Sequence, residues 1–285
     1  MRQIFYYIHT GHRFGLDRFR RAVAIIRELD FEVTLLCNDY RIASASREYG
    51  IKKAVGIDSI KNIANIAMQG DVLIYDSPEG NETQLMQMIE YFSVFIRLSD
   101  NPNDRVLPNE YLISPYLKGM NVCHAWPVAS LFFEENFKKY ENVLFYGDDD
   151  YERELPQKSA ALKTLGIELL MGFYYFSDYA KELKNCFPRI YDSKEYENIV
   201  ASSKQIITSS AQCALEALAS GSKPIFWQRD DYSKNLNTYL LSYSIPVVTH
   251  INDVEKLLSQ EISYKKIENE MPKIKVFIEK LISKD

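Results

Sequence analysis

The chain has 285 residues, 34 Lys and Arg against 39 Asp and Glu, a net charge of −5 and a pI near 5.6, a balance that argues against a general nucleic-acid binder. With 46% hydrophobic and 26% charged residues it has the profile of a soluble globular protein of one large or two modest domains. Cys37, Cys123, Cys186 and Cys213 lie far apart with no CxxC pair or Cys/His cluster, so neither a zinc site nor a disulfide framework is indicated, no cofactor is implied, and a reducing cytoplasm is the expected location.

The apolar run before His9 is too short for a signal peptide, and no stretch approaches the roughly 20 apolar residues of a membrane span. Residues 4–8 read as a first strand and 10–17 as a turn-rich loop. Residues 16–29 read as a helix, with Phe19, Ala22, Val23, Ile26 and Leu29 at helical spacing. Strands are expected at 32–37, 53–57, 71–75, 94–97 and 111–113, and helices at 42–49, 59–68 and 83–92. The pattern weakens between Pro115 and Asn142 and then restarts. Strands follow at 142–146, 168–176, 188–191, 205–208, 223–227 and 247–248. Helices follow at 154–165, 179–185, 195–202, 210–219, 235–242, 253–259 and 271–283. Continuous apolar strands alternating with helices predict parallel sheets covered on both faces. The expected architecture is α/β, with two Rossmann-like domains facing across a cleft. The N-terminal one spans 1–130 and the C-terminal one, expected to bind a nucleotide sugar, spans 131–285. The join carries no Gly/Ser-rich tract, which predicts a packed hinge.

Ligands of doubly wound sheets bind where strands end and helices begin. Four such loops carry chemistry-bearing residues. The loop 10–18 holds His12, Arg13, Gly15, Asp17 and Arg18 next to His9, and helix N-termini attract anions. An ordinary solvated loop is the competing reading. Asp76-Ser77-Pro78-Glu79 ends a buried strand, where a carboxylate can serve as a general base or simply sit in a turn. Gly147-Asp148-Asp149-Asp150 suits a turn better than a metal site, because adjacent side chains do not all converge. Residues 207–227 run from a strand through Ser209-Ser210 and a small-residue helix with Glu216 to Gly221 and Pro224, a pattern an ordinary βαβ unit would also show.

That last segment resembles the nucleotide-sugar-binding unit of glycosyltransferase-B enzymes. There a strand, a small-residue turn, a helix with Glu, Ala-Leu-x-x-Gly and Pro follow in order; here they are Ser209–Ala211, Glu216, Ala217-Leu218, Gly221 and Pro224. The nearest pattern is that of the UDP-sugar hydrolase of bacterial pseudaminic acid biosynthesis, with SpsG and the N-acetylglucosaminyltransferase that makes lipid II as relatives. Residues 143–150 look like that family's strand and Gly-Gly-Ser-Asp loop, and 192–203 like its helix before the nucleotide unit. The resemblance implies that the helix starting near Ser210 meets the diphosphate and that Glu216 binds the ribose. It implies substrate contacts at Gly15, Asp17, Gly147, Ser209, Ser210 and Ala211. It places Arg18 where the family has its catalytic histidine, with His12 and Asp76 as candidates for acid–base work. Arginine stays protonated at neutral pH and is a poor base.

The expected function is therefore UDP-sugar hydrolysis or glycosyl transfer in bacterial surface-glycan biosynthesis, with a nucleotide sugar as partner and no nucleic acid. The alternative is a non-catalytic relative that binds a sugar nucleotide or a partner enzyme, motivated by the replaced histidine and glycines. A third reading gives Arg13, Arg18, Arg20 and Arg21 a transient contact with an acidic membrane surface.

Overall fold

The computed structural model describes residues 2–283. Two compact units emerge: residues 2–11, Arg18–Ala129 and 270–283 form the first, and His12–Asp17 with Ser130–Asn269 form the second. The first is built on strands β1 (Ile4–Ile8), β2 (Val33–Cys37), β3 (Lys53–Gly56), β4 (Val72–Asp76), β5 (Val94–Leu98), β6 (Tyr111–Ser114) and β7 (Val122–His124). All neighbours pair in parallel, in the order β3-β2-β1-β4-β5-β6-β7. Helices α1 (Asp17–Glu28), α2 (Tyr40–Ala45) and α3 (Glu82–Tyr91) make its crossovers. β1, β4 and β5 are buried at every residue, which explains their apolar runs, interrupted by Arg97 in β5 and ended by Asp76 in β4.

The second unit repeats the design. Its strands β8 (Tyr140–Phe145), β9 (Glu168–Leu170), β10 (Ile190–Tyr191), β11 (Ser203–Thr208), β12 (Lys223–Trp227) and β13 (Val247–Val248) run parallel in the order β10-β9-β8-β11-β12-β13. Around them lie α4 (Leu155–Thr164), α5 (Ser177–Leu183), α6 (Tyr196–Ser202), α7 (Ala211–Ala219), α8 (Asn237–Ser242) and α9 (Ile251–Leu258). The last helix, α10 (Met271–Ile282), returns to the first unit. No helix among the described residues is long and apolar enough to cross a membrane.

Two local expectations are corrected. The helix expected at 59–68 is a 3-10 segment over Ile60–Asn65. Ile60, Ile63 and Ile66 recur every three residues, the period of a 3-10 turn. The strand expected over 168–176 stops at Leu170. A Cβ on Gly172 would lie 2.4 Å from the Asp148 backbone, so the chain turns there against β8's end, and Phe173–Phe176 leave the sheet. Within the weakly patterned 115–142 stretch lie β7 and a 3-10 turn over Ser130–Phe133.

In each sheet the strand order reverses beside its first strand, between β1 and β4 and between β8 and β11. The carboxyl ends of those pairs are where doubly wound sheets present ligand-binding loops.

Candidate functional site

In the second unit, β8 runs into Tyr146-Gly147-Asp148-Asp149-Asp150 and β11 into Ser209-Ser210. Gly147 has φ +110°, a backbone conformation that favours glycine, and a Cβ there would stand 2.5 Å from the Tyr232 hydroxyl, which would have to move. The three aspartates do not converge. Asp150 accepts from the backbone N–H groups of Glu154 and Leu155 at 2.9 Å each and from the Tyr179 hydroxyl, which fixes the start of α4. Asp149 accepts from the Arg13 N–H at 2.7 Å, with His12 Nδ1 at 3.4 Å. Asp148 accepts from the Leu16 N–H at 2.8 Å. Among the described residues no group of three or more His, Cys, Asp or Glu is placed to hold a metal ion.

Arg229 braces this turn. It is buried, donates to the carbonyls of Tyr146 and Asp149 at 3.1 and 2.6 Å, and pairs through Nε and Nη2 with Asp231. Its guanidinium lies 4.5 Å from the Tyr146 ring centroid and 4.3 Å from that of Tyr232. Burial alone would lower its pKa, but Asp231 and the flanking groups raise it, so the charge is fixed.

Ser210 is the N-cap of α7: its Oγ accepts from the Cys213 N–H at 3.0 Å, as its residue type led one to expect. The same hydroxyl donates to Asp17 Oδ1 at 2.6 Å, and the Gln212 N–H reaches Asp17 Oδ2 at 3.4 Å. Asp17 thus puts a carboxylate at the amino end of α7. Ser209 is buried and its Oγ has no hydrogen-bond partner. Ala211 opens the helix, and Glu216 on its second turn is 1% exposed. Its oxygens accept from the Tyr196 hydroxyl at 2.7 Å and from Gln212 Nε2 at 3.0 Å. Gly15, with φ +64°, brings the loop against Asp148; a Cβ there would be 3.2 Å from Oδ2. His12 sits among aromatic rings, 4.8 Å from Tyr174 and 5.8 Å from Phe176 between centroids. It lines a pocket of about 220 Å³ with Asp149, Tyr151, Arg153, Tyr175 and Tyr179.

In the first unit, Asp76 ends β4 opposite Ile8 of β1. Both its oxygens accept from Arg21, Nε at 2.9 Å and Nη2 at 2.7 Å, and Arg18 Nε stands 3.6 Å away. Arg21 is buried beneath Trp126, 4.7 Å from its ring. Burial would lower its pKa, but Asp76 raises it further, so the guanidinium charge is fixed. Of the expected catalytic residues, Arg18 and Asp76 therefore share one cluster, and His12 belongs to the second unit.

A second group at the same strand ends involves His9 and Glu79, which the sequence places in loops but does not single out. His9 Nδ1 lies 3.0 Å from Glu79 Oε2, off the line of a straight hydrogen bond. The same oxygen accepts from the Tyr7 hydroxyl and from Ser77 Oγ at 3.1 Å. The Glu79 carbonyl accepts from the Tyr75 hydroxyl at 2.6 Å, and the Tyr7 and Tyr75 rings stack at 5.7 Å. Burial pushes the Glu79 carboxyl up, but His9, Tyr7 and Ser77 outweigh it and hold the pKa below its ordinary value. Glu79 is thus an ionised acceptor beside an imidazole, at the point where strand order reverses.

No family model matches this chain, and no curated protein sequence matches it. Solved structures match it along nearly its whole length. The co-structure of S. aureus MnaA with UDP is 10% identical, covers 99% of this chain and 97% of its own, and gives a TM-score of 0.62. A putative UDP-N-acetylglucosamine 2-epimerase from Listeria monocytogenes is 11% identical, with coverages of 99% and 98% and a TM-score of 0.59. The spinosyn forosaminyltransferase SpnP is 11% identical, with 99% and 91% and a TM-score of 0.54. The fold is GT-B-like. At so low an identity the fold is what these proteins share with the chain, whose own sheets have seven and six parallel strands.

Arg229, Tyr232, Tyr196 and Glu79 escaped sequence reasoning. Glu79 alone left a usable signal: it lies three residues past β4, and His9 directly past β1, so any βαβ arrangement that pairs these strands brings them together.

Proposed function

We propose that the chain is an enzyme acting on a nucleotide-linked sugar, with UDP-sugar hydrolysis or glycosyl transfer as its reaction. The observation that carries this reading is the His9–Glu79 pair at the β1/β4 strand ends. Glu79 can orient the imidazole through Nδ1, and the ring can then take a proton from a water or an acceptor hydroxyl. As that oxygen attacks the anomeric carbon, the bond to the nucleotide's diphosphate breaks and the proton passes to His9. In the second unit, the N–H groups opening α7, with the Ser209 and Ser210 hydroxyls, suit a diphosphate. Ala211 at the helix start and Gly147 at the β8 end keep the neighbouring backbone open to a ligand, and Glu216 suits ribose hydroxyls. Gly15 and Asp17 belong to the segment that meets these strand ends. Arg18 contributes positive charge near Asp76 rather than proton transfer. UDP and UDP-sugars named with the structural neighbours support this substrate class. Kinship to the pseudaminic acid hydrolases and SpsG, a place in surface-glycan synthesis and a cytoplasmic location are the finer form of the same reading.

The test is release of UDP from a panel of UDP-amino sugars, with and without acceptor, by the purified chain and by His9→Ala. Turnover that His9→Ala abolishes supports the reading; turnover that survives unchanged sinks the assignment of His9.

A second reading, a non-catalytic relative that binds a sugar nucleotide or a partner enzyme, is favoured by one observation. Glu216 already has both oxygens engaged by Tyr196 and Gln212. UDP binding without turnover of any sugar tested would select it.

A further inference from the structure

The loop between β1 and α1 belongs with the second unit over His12–Asp17. Three of its groups are matched to strand-end partners. The Arg13 N–H donates to Asp149 at 2.7 Å, the Leu16 N–H to Asp148 at 2.8 Å, and Asp17 takes the Ser210 hydroxyl at 2.6 Å with the Gln212 N–H at 3.4 Å. The segment bends through left-handed backbone at Arg13, φ 68°, and at Gly15, φ 64°. A non-glycine residue stays in that region when surrounding contacts hold it there. The Asp17 carboxylate makes the contacts a phosphate oxygen would make at a helix amino end: a capping hydroxyl, a backbone N–H and the positive end of the helix dipole. Ser209, next in the chain before the capping Ser210, has a buried hydroxyl with no hydrogen-bond partner.

We infer that His12–Asp17 is an internal plug, in which the Asp17 carboxylate occupies the position of a nucleotide phosphate at the start of α7 and must leave before a diphosphate binds. The inference rests on the nucleotide reading of that site. Asp148 and Asp149 favour closure twice over, by accepting the segment's N–H groups and by repelling an incoming anion. Two anions competing for one set of donors make apparent affinity the intrinsic affinity multiplied by the open fraction. Removing the carboxylate therefore tightens binding.

Pyrophosphate, which carries no nucleoside, is the probe for the plug. Its dissociation constant is measured by calorimetry for wild type, Asp17→Ala and Asp17→Asn, the second keeping the shape and a hydrogen-bond acceptor without the charge. The expected result is binding about tenfold or more tighter in a folded variant. Hydrogen exchange on the wild-type chain gives an independent readout: saturating pyrophosphate should speed exchange at the Arg13 and Leu16 amides. Affinity that is unchanged or weaker in the folded variants, no pyrophosphate binding at all, or protection of those amides that persists in the complex overturns the plug. UDP and ADP titrated into the same variants test the underlying reading separately. If pyrophosphate tightens but UDP gains nothing over ADP, the plug stands and the uridine-nucleotide reading fails.

Discussion

Replacing Glu79 with Gln removes one charge and almost no volume. Three donors or near-donors converge on its Oε2: the Tyr7 hydroxyl, Ser77 Oγ at 3.1 Å and His9 Nδ1 at 3.0 Å. A glutamine oxygen can still accept from Tyr7 and Ser77, so the fold should hold. What is lost is the negative charge that favours the imidazolium formed when His9 takes a proton, and the acceptor that fixes which ring nitrogen carries hydrogen. General-base catalysis contributes about 10²–10⁴-fold, and most of that depends on the imidazole's tautomer and orientation. The expected fall in kcat is about 10²–10³-fold, or about 3–4 kcal/mol of transition-state stabilisation at 1.36 kcal/mol per tenfold. KM should change little, because no substrate-binding group is touched. The assay is steady-state UDP release on the UDP-sugar turned over by wild type, with a thermal melt to show that the variant is folded. A folded Glu79→Gln enzyme with kcat within about twofold of wild type would refute the assignment of His9 and Glu79 as a working pair.

Other consequences can be measured in parallel. Gly172→Ala should destabilise more than Gly147→Ala: the first places Cβ 2.4 Å from the fixed Asp148 backbone, whereas the second meets the Tyr232 hydroxyl at 2.5 Å, which can shift. The expected costs are about 3 kcal/mol for Gly172→Ala and about 1–3 for Gly147→Ala, read by denaturant melts. Glu110→Ala removes a carboxylate that Arg97 meets at 3.0 and 2.8 Å but leaves its pair with Asp104, and should cost about 1–3 kcal/mol. Stability should also fall in acid. Burial raises the Glu79 and Asp104 carboxyls, but His9, Tyr7 and Ser77 at one, and Arg97 and Ser99 at the other, outweigh it and lower both pKa values. A carboxyl whose folded pKa is depressed contributes stability above its unfolded value, 4.5 for Glu79 and 3.8 for Asp104, and loses it as pH falls through the folded one. Urea midpoints should therefore drop below pH 4.5, and Glu79→Gln should flatten the first part of that drop.

The strand runs were legible because a parallel sheet covered on both faces demands apolar stretches: β1 and β4 supply long ones, and β8 and β11 supply shorter ones toward their carboxyl ends. β7 was not, since three residues with one buried position carry no period. The Phe173–Phe176 run read as strand because its aromatics suit a sheet, while the decisive fact, the closeness of Gly172 to Asp148, is tertiary. Ser210 as a cap follows from local chemistry. Its bond to Asp17 spans 193 positions and left no trace in either segment. Asp76 drew attention over Glu79 because it ends the strand. Strand parity explains the outcome: Asp76 shares its face with Ile74 and Tyr6, towards Arg21, whereas Tyr7 and Tyr75 point to the other face and receive Glu79.

Glu216 is either a ribose ligand or a buried strut, and UDP binding tells the two apart. Its carboxylate is 1% exposed, and each oxygen accepts one hydrogen bond within the fold. Tyr196 and Gln212 orient this carboxylate from opposite oxygens. Hydrogen bonds to a charged group are worth about 1.5–3 kcal/mol, so Glu216→Gln should weaken UDP binding by about 10–150-fold if ribose hydroxyls bond to this carboxylate. The glutamine oxygen can still satisfy Tyr196, which limits the structural damage. UDP-induced thermal shift separates the two roles, because a ligand that binds only the folded state raises the melting temperature by mass action. A shift that disappears in a folded Glu216→Gln chain makes Glu216 part of the nucleotide site. A lower baseline melting temperature with an undiminished UDP shift makes it a buried strut between α6 and α7, and would leave the β11–α7 strand end with an anion site but no ribose ligand at this position.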